Sequence, residues 1–124
     1  MNFWYLATPY TKFPGGIEAA YCAACEQTAL LMRAGIPVFS PISHTHGVAV
    51  HGGIDPTDLS IWLLADKLFM DGATGMIVCK LPTWECSDGI MAEIEAFYAA
   101  GKPIVFMEPN ELPQWIVTAE GGHV

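Results

Sequence analysis

The sequence predicts one α/β domain whose doubly wound, mostly parallel sheet is covered by helices on both faces. The length of 124 residues is close to the commonest size of a single domain. Short apolar segments typical of buried strands alternate with longer segments of helical periodicity. No linker, repeat or low-complexity stretch interrupts this alternation. We therefore assign residues 1–124 to a single domain.

The first half of the chain is predicted to contain a strand, a loop, a helix, a second strand and a long loop: residues 2–7, 8–16, 17–34, 36–41 and 42–54. The first strand is rich in aromatic residues, and a turn-prone segment follows it. Gly35 and Pro37 end the helix, as glycine and proline commonly do. The long loop is rich in histidine and glycine, and loops of this length are often ligand-binding segments.

The second half is predicted to contain a helix, a strand, a loop, a helix, a strand and a last short helix: residues 55–72, 75–79, 81–86, 87–100, 103–107 and 111–118. Asp55 and Pro56 are a typical helix start, an acidic N-cap before proline. Ser87 or Asp88 caps the next helix, and Gly101 follows its end. Residues 120–124 are expected to fray.

Alternating strands and helices give parallel strands, and we expect a flavodoxin-like or Rossmann-like sheet with the strand order 2-1-3-4. Ligands bind such sheets beyond the carboxyl ends of the strands. A binding site is therefore predicted to involve the loops over residues 8–16, 42–54 and 81–88.

Composition and charge exclude some functions. The formal charge of −8 argues against binding duplex nucleic acid, which requires a cationic face. No segment is long enough to span a membrane, and the N-terminus lacks signal-peptide features, so we expect a cytoplasmic protein. With 52% hydrophobic and only 15% charged residues, part of the surface is expected to be covered in a homo-oligomer, a dimer or larger.

The four cysteines do not have the density or spacing of a disulfide framework. Cys22 and Cys25 form a CxxC pattern in the middle of a predicted helix, away from the N-terminal position that activates a redox thiolate. We therefore interpret them as small buried hydrophobic residues.

Two acidic residues have unusual positions. Glu93 lies at the edge of the apolar face of its helix, near the helix start. Asp66 lies within an apolar face that includes Trp62 and Leu63. A carboxylate in such a place is costly unless it is paired or functional, so Asp66 is either a hydrogen-bonded structural acid or part of a site. By periodicity alone, Glu93 is an ordinary solvated glutamate.

Three segments in order carry a family resemblance: Phe3-Trp4-Tyr5-Leu6-Ala7-Thr8-Pro9, Asp66 seven residues before Ala73, and Ser87-Asp88-Gly89-Ile90-Met91-Ala92-Glu93-Ile94. Together they resemble the nucleoside 2-deoxyribosyltransferase superfamily. The similarity is greatest to a small bacterial and phage branch of the DUF1937 type and extends to nucleoside 5′-monophosphate N-glycosidases. The match covers nearly the whole chain.

The resemblance implies cleavage of the N-glycosidic bond of a nucleoside or nucleoside 5′-monophosphate, by hydrolysis or by transfer, without a cofactor. Glu93 matches the family's nucleophile, which forms a covalent glycosyl-enzyme. Tyr5 matches the tyrosine that orients this glutamate. Asp66 matches the acid that assists departure of the base, and its apolar setting is expected to raise its pKa.

Ser87 matches a position that divides the superfamily, with aspartate in transferases of unphosphorylated nucleosides and serine in monophosphate hydrolases. Together with Gly89 at the helix start, it implies contact with the sugar or its phosphate, although Ser87 is also a good N-cap. The family's glycine-rich loop with an arginine is replaced here by Thr8-Pro9-Tyr10-Thr11-Lys12. Thr8, Pro9, Tyr10 and Lys12 are therefore expected to contact the substrate.

His44 and His46 are expected to contact the base or the phosphate. A metal site built on them is the less favoured interpretation, because three or four convergent ligands are required and few acidic residues are near. Trp84 and Trp62 are candidates for stacking on the base, with packing in a core or subunit interface as the equal alternative.

Three alternatives to the glycosidase remain open from the sequence. They are a nucleotide-sensing module without turnover, an NAD-type glycohydrolase, and a metal-dependent enzyme using His44 and His46. The first would have the same fold and pocket, so that only activity distinguishes it.

Overall fold

Four parallel strands form the sheet at the centre of the domain. The computed structural model describes residues 2–113, except the side chain of Leu59. The strands are β1 (Trp4–Ala7), β2 (Val38–Phe39), β3 (Gly75–Cys79) and β4 (Ile104–Met107). They lie in the order β2-β1-β3-β4, and every neighbouring pair is parallel. The predicted single-domain α/β class, the parallel sheet and the strand order are confirmed, and they agree with a flavodoxin-like or Rossmann-like fold.

Helices pack on both faces of this sheet. They are α1 (Ile17–Arg33), α2 (Pro41–Gly52), α3 (Leu59–Gly72) and α4 (Asp88–Ala99), with a short 3₁₀ turn (Trp84–Cys86) before α4. Leu31 of α1 packs with Leu6 on one face, and Phe97 of α4 packs with Tyr5 on the other. Because successive strand residues point to opposite faces, β1 directs Tyr5 toward α4.

The predicted loop over residues 42–54 is a helix instead. The Oγ of Ser40 accepts a hydrogen bond from the Ser43 amide at 3.3 Å and caps α2. Pro41 occupies the start of the helix, and Gly53, with φ of 73°, ends it in the left-handed region. The prediction was wrong because glycines such as Gly47 lower helix propensity, whereas the end signals and packing against α1 and β1 favour the helix.

The helix after this segment begins later than predicted. Asp55 accepts hydrogen bonds from the amide and the hydroxyl of Thr57, at 2.9 and 2.8 Å, and so forms a turn. Asp58 is the N-cap of α3 and accepts from the Ser60 amide at 3.1 Å. Asp55 and Pro56 are therefore not its first residues, because the side chain of Asp55 competes with helix formation.

The CxxC pattern is also placed differently from the prediction. Cys22 is exposed and Cys25 is only half-buried, because the buried face of α1 runs through other positions such as Ala24 and Leu31. All four cysteines are free thiols. Cys22 and Cys25 are therefore not the small buried hydrophobic residues that the sequence predicted.

The last predicted helix begins inside the described residues, but residues 111–113 are not helical. Its remainder, 114–118, and the tail over 120–124 lie outside the described part of the chain. Within residues 2–113, none of the helices is both long and apolar enough to cross a membrane.

Candidate active site

A cavity of about 320 Å³ lies at the carboxyl-end side of the sheet. Thr8 follows β1, Pro41 follows β2, and Ser87 lies in the connection after β3, so three strand ends contribute to its wall. This volume is at the lower end of the range for small-molecule sites. All three of the segments that the sequence singled out as ligand-binding contribute to it.

The cavity wall has a polar part and a more apolar part. The β1–α1 loop and the start of α4 supply mostly polar residues: Thr8, Tyr10, Thr11, Ser87, Asp88, Gly89, Ile90 and Glu93. Helix α2, the segment leading into α3 and α3 itself supply mostly apolar ones: Pro41, Ile42, Thr45, Pro56, Thr57, Trp62 and Leu63, with Asp66 one turn further along α3. Glu93 and Asp66 therefore reach one cavity from different helices.

Glu93 is held by Tyr5. The Tyr5 hydroxyl donates a hydrogen bond to Glu93 Oε2 at 2.5 Å, and both side chains are buried. The Tyr5 ring is fixed between Phe39 and Phe97, with ring centroids 6.0 and 5.5 Å away. Tyr5 itself does not line the cavity; it lies behind Glu93 and sets the direction of that carboxyl group.

Burial has the largest effect on the pKa values of Glu93, Asp66 and Tyr5. It raises the pKa of Glu93 to about 8, with Asp66 adding to the rise and the Tyr5 hydrogen bond opposing it. It raises the pKa of Asp66 to about 6, opposed by the electrostatic effect of His44. Burial and the charge on Glu93 raise the pKa of Tyr5 well above its usual range. At neutral pH, Tyr5 is therefore a donor, and the two acids hold about one proton between them.

The start of α4 presents its capped N-terminus to the cavity. Ser87 Oγ accepts from the Ile90 amide at 3.2 Å, which fixes the first turn beside the cavity. Amide groups in the first turn of a helix favour negative charge. Lys12 donates to the Cys86 carbonyl oxygen at 2.8 Å and lies 3.9 Å from Asp88. It therefore fastens the β1–α1 loop to the loop before α4, and it does not line the cavity.

Thr8 carries a buried polar atom beside the cavity. The residue lines the cavity, and only 4% of it is exposed. Its hydroxyl oxygen is shielded from solvent and has no hydrogen-bond partner within residues 2–113. A buried hydroxyl without a partner is costly in a native fold, and this oxygen is not part of the cavity surface.

The histidines lie beside the cavity and do not line it. His44 is exposed on α2 and packs near Phe39 and Phe69, with ring centroids 5.6 and 6.3 Å away. His46 is buried behind Tyr10. Within the described part of the chain, no three histidine, cysteine, aspartate or glutamate side chains converge as a metal site.

Of the residues proposed from the sequence, six line the cavity: Thr8, Tyr10, Asp66, Ser87, Gly89 and Glu93. Six do not: Tyr5, Pro9, Lys12, His44, His46 and Trp84. Pro9 is fully buried, and Trp84 is half-buried against Phe106, with 5.7 Å between the ring centroids. Trp62, the other tryptophan considered for stacking, does line the cavity.

Sequence reasoning missed the wall formed by α2. Pro41, Ile42 and Thr45 share one side of this helix, since residues three and four apart are neighbours. Because the segment was predicted to be a loop, its helical periodicity was not considered. The serine N-cap followed by proline was the signal that predicts the helix, and with it the cavity wall.

Comparison with known proteins gives one family. The search of curated proteins finds no match. A family model with the description "Domain of unknown function (DUF1937)" matches residues 2–109, which include β1–β4 and every residue that lines the cavity. The chain therefore belongs to the DUF1937 family.

Proposed function

We propose that this protein cleaves the N-glycosidic bond of a nucleoside or nucleoside 5′-monophosphate through a glutamyl-sugar intermediate. The observation that carries the proposal is the buried hydrogen bond of 2.5 Å from Tyr5 to Glu93 in a cavity that Asp66 also lines. A carboxylate oriented by a donor and accompanied by a second acid is what a double-displacement glycosidase requires. The resemblance to the nucleoside 2-deoxyribosyltransferase superfamily supports the same roles.

In the first step, an oxygen of the Glu93 carboxylate attacks the anomeric carbon. The bond from that carbon to the base nitrogen breaks, and the base nitrogen takes the electron pair and a proton from Asp66. In the second step, water or the nitrogen of a second base attacks the same carbon and releases Glu93. The proton of the attacking group returns to Asp66, so that charge and protons balance over the cycle.

The reactive form has one proton on the acid pair, located on Asp66. The pKa values of about 8 for Glu93 and about 6 for Asp66 are consistent with a single proton at neutral pH, but they favour its location on Glu93. The Tyr5 hydrogen bond stabilises the ionised form of Glu93. Transfer of the proton to Asp66 when substrate binds is therefore part of the proposed mechanism.

The cavity wall supports a substrate with an apolar flat part and a polar part. Trp62, Ile42 and Leu63 offer an apolar surface for a base. The start of α4 at Ser87 offers partners for the sugar or a 5′-phosphate. No step in this scheme requires a cofactor.

The cellular compartment and the oligomeric state are also proposals. The four free cysteines support a reducing, cytoplasmic compartment. The large apolar side chains that helix α3 exposes include Ile61, Leu64 and Leu68. Since they lie on the outer side of a helix whose inner side carries Asp66, we infer that a homo-oligomer covers this surface.

The test is incubation with nucleosides, their 5′-monophosphates and NAD, followed by chromatography for the released base. The Glu93→Gln variant removes the nucleophile while keeping its shape. Glu95→Gln is the matched control, because Glu95 is exposed on the same helix. We expect release by the parent and by Glu95→Gln, with a loss of at least about a thousandfold in Glu93→Gln. Equal release by Glu93→Gln would contradict the proposal.

The second candidate is a nucleotide-binding module without turnover. The burial that raises the pKa of Glu93 to about 8 favours this candidate, because a protonated carboxyl group is a poor nucleophile. Binding of a panel compound by the parent without release of base, between pH 6 and 9, would support it over the enzyme.

A further inference from the structure

A chain of hydrogen bonds connects the cavity wall to the protein surface through a buried histidine. Tyr10 lines the cavity, and its hydroxyl oxygen lies 2.6 Å from Nδ1 of His46. Nε2 of the same ring lies 2.8 Å from Oε2 of Glu18. The imidazole is buried and stacks on Tyr21, with ring centroids 4.4 Å apart. Both ring nitrogens are therefore occupied and the ring plane is fixed.

For a neutral imidazole, the partners determine the direction of each hydrogen bond. The Glu18 side chain is 74% exposed, and a glutamate carboxylate accepts hydrogen bonds and cannot donate them. Nε2 of His46 therefore carries the hydrogen and donates it to Glu18. In the neutral imidazole, Nδ1 is then the acceptor, so the Tyr10 O–H donates to His46. Burial and the charge on Glu18 raise the pKa of Tyr10, so the phenol keeps the proton that it donates.

In this arrangement, the Tyr10 hydroxyl can only accept a hydrogen bond from a ligand. Within the described part of the chain, His46 is the one hydrogen-bond partner of the Tyr10 hydroxyl. With its single proton engaged by His46, the oxygen has lone pairs and no hydrogen to offer to the cavity. A ligand group that meets Tyr10 must therefore be a donor.

Resting on the proposed function, we infer that Tyr10 is a specificity-determining residue that accepts a hydrogen bond from an amino group of the base. Tyr10 is tied through His46 to α2, the helix that supplies Ile42 to the apolar part of the wall. Tyr10 and Ile42 line the same cavity, so in the proposed complex a base that packs on the apolar part of the wall is placed to meet Tyr10, with the sugar toward the start of α4. His46 and Glu18 are positioning residues, because they act on the ligand through Tyr10.

The inference gives a selectivity that can be measured as binding. An amino base offers a donor where its oxo counterpart offers only an acceptor, and two acceptors facing each other leave both unpaired. We expect cytidine to bind more tightly than uridine, and adenosine more tightly than inosine, by about tenfold in any pair that binds. Titration calorimetry in the Glu93→Gln background measures this ratio without turnover.

Two substitutions test the origin of the affinity ratio between nucleosides with an amino base and those with its oxo counterpart. Tyr10→Phe keeps the ring in the wall and removes the acceptor, so the ratio is expected to fall to about 1. Glu18→Gln offers His46 either a donor or an acceptor, which releases the fixed tautomer and lowers the ratio without touching the wall. Glu26→Gln, exposed on the same helix α1, is the control and keeps the parent ratio. Melting temperatures confirm that each variant is folded.

Every other outcome overturns a specific part of the inference about Tyr10. Equal affinity within both pairs, preference for the oxo member, or an unchanged ratio in Tyr10→Phe would overturn the role of Tyr10. A lost ratio in Tyr10→Phe together with an unchanged one in Glu18→Gln would overturn the control by Glu18. If neither the nucleosides of both pairs nor their 5′-monophosphates bind, the proposed function fails and this inference fails with it.

Discussion

The Tyr5 hydroxyl donates a hydrogen bond of 2.5 Å to Oε2 of Glu93, across 88 positions of the sequence. The bond joins the central strand β1 to helix α4 beneath the floor of the cavity. Burial favours the neutral form of Glu93, whereas this hydrogen bond favours its ionised form. The contact therefore orients the carboxyl group and also makes its ionisation easier.

Replacing Tyr5 by phenylalanine is expected to slow formation of the glycosyl-enzyme by about 10- to 100-fold, the range for losing a hydrogen bond to a charged group. The reactive form holds one proton on the acid pair, so the rate is expected to rise with pH through the lower pKa of the pair and to fall through the upper one, which lies nearer that of Glu93. Since the lost bond lowered the pKa of Glu93, the alkaline side of the pH–rate profile moves to higher pH, by about one unit. Single-turnover kinetics from pH 5 to 10 measure both effects.

Tyr98→Phe is the matched control, because Tyr98 lies on the same helix and is 80% exposed. It is expected to leave the rate and the profile unchanged. A Tyr5→Phe variant with a slower rate but an unmoved profile would show that Tyr5 orients Glu93 without changing its ionisation.

The raised pKa of Glu93 predicts how stability depends on pH. Between the ordinary value of 4.5 and the folded value of about 8, the folded protein binds more protons than the unfolded chain. The free energy of unfolding therefore falls as pH rises through this window. Glu93→Gln removes the titration, so its stability relative to the parent is expected to increase from pH 4.5 to 8, by up to a few kcal/mol. Denaturant unfolding at several pH values measures the difference.

Asp66 contributes in the same direction over a lower window, from its ordinary value of 3.8 to about 6. The control is again Glu95→Gln, whose stability relative to the parent is expected not to vary across these pH values. If Glu93→Gln and the parent lose stability in parallel as pH rises, burial of Glu93 is not the cause of the loss.

Local signals in the sequence were sufficient for much of the fold. The helix start at Ser87 was predicted because an N-cap is a property of a few adjacent residues, and the structure confirms it. The strand order followed from the alternation of elements and the handedness of their connections. Helix α2 was missed because its glycines lower helix propensity, and packing on α1 and β1 decides its conformation.

The site was less accessible to prediction, because it depends on contacts between distant positions. Periodicity placed Asp66 within an apolar face and Glu93 only at the edge of one, so the role of Glu93 came from the family resemblance. The pairing of Tyr10 with His46, 36 positions apart, has no local signature. Lys12 was expected at the substrate because it is a cation in the right loop, whereas its contact is a backbone carbonyl of the neighbouring loop.

Gly75 is expected to be essential for stability, because a Cβ at this position has no room. Such an atom would lie 2.6 Å from the Pro103 carbonyl oxygen and 2.6 Å from the Trp4 ring. Gly75→Ala would push β3 away from its neighbours on both sides, and we expect a loss of about 2 kcal/mol or more in unfolding experiments. Gly72→Ala is the control: its Cβ would meet only the Phe3 ring at 3.6 Å. A Gly75→Ala variant as stable as that control would contradict the crowding.

Ser87 is expected to decide whether a phosphorylated substrate is accepted. Aspartate keeps the N-cap of α4, but its negative charge lies where a 5′-phosphate would meet the first amide groups of the helix. In Ser87→Asp, the preference for a 5′-monophosphate over its nucleoside, as a ratio of kcat/KM, is expected to fall by about tenfold or more. Ser87→Asn is the matched control, because asparagine has the same size and capping ability without the charge. An equal fall in both variants would assign the effect to side-chain shape, and no fall in either would place the phosphate away from α4.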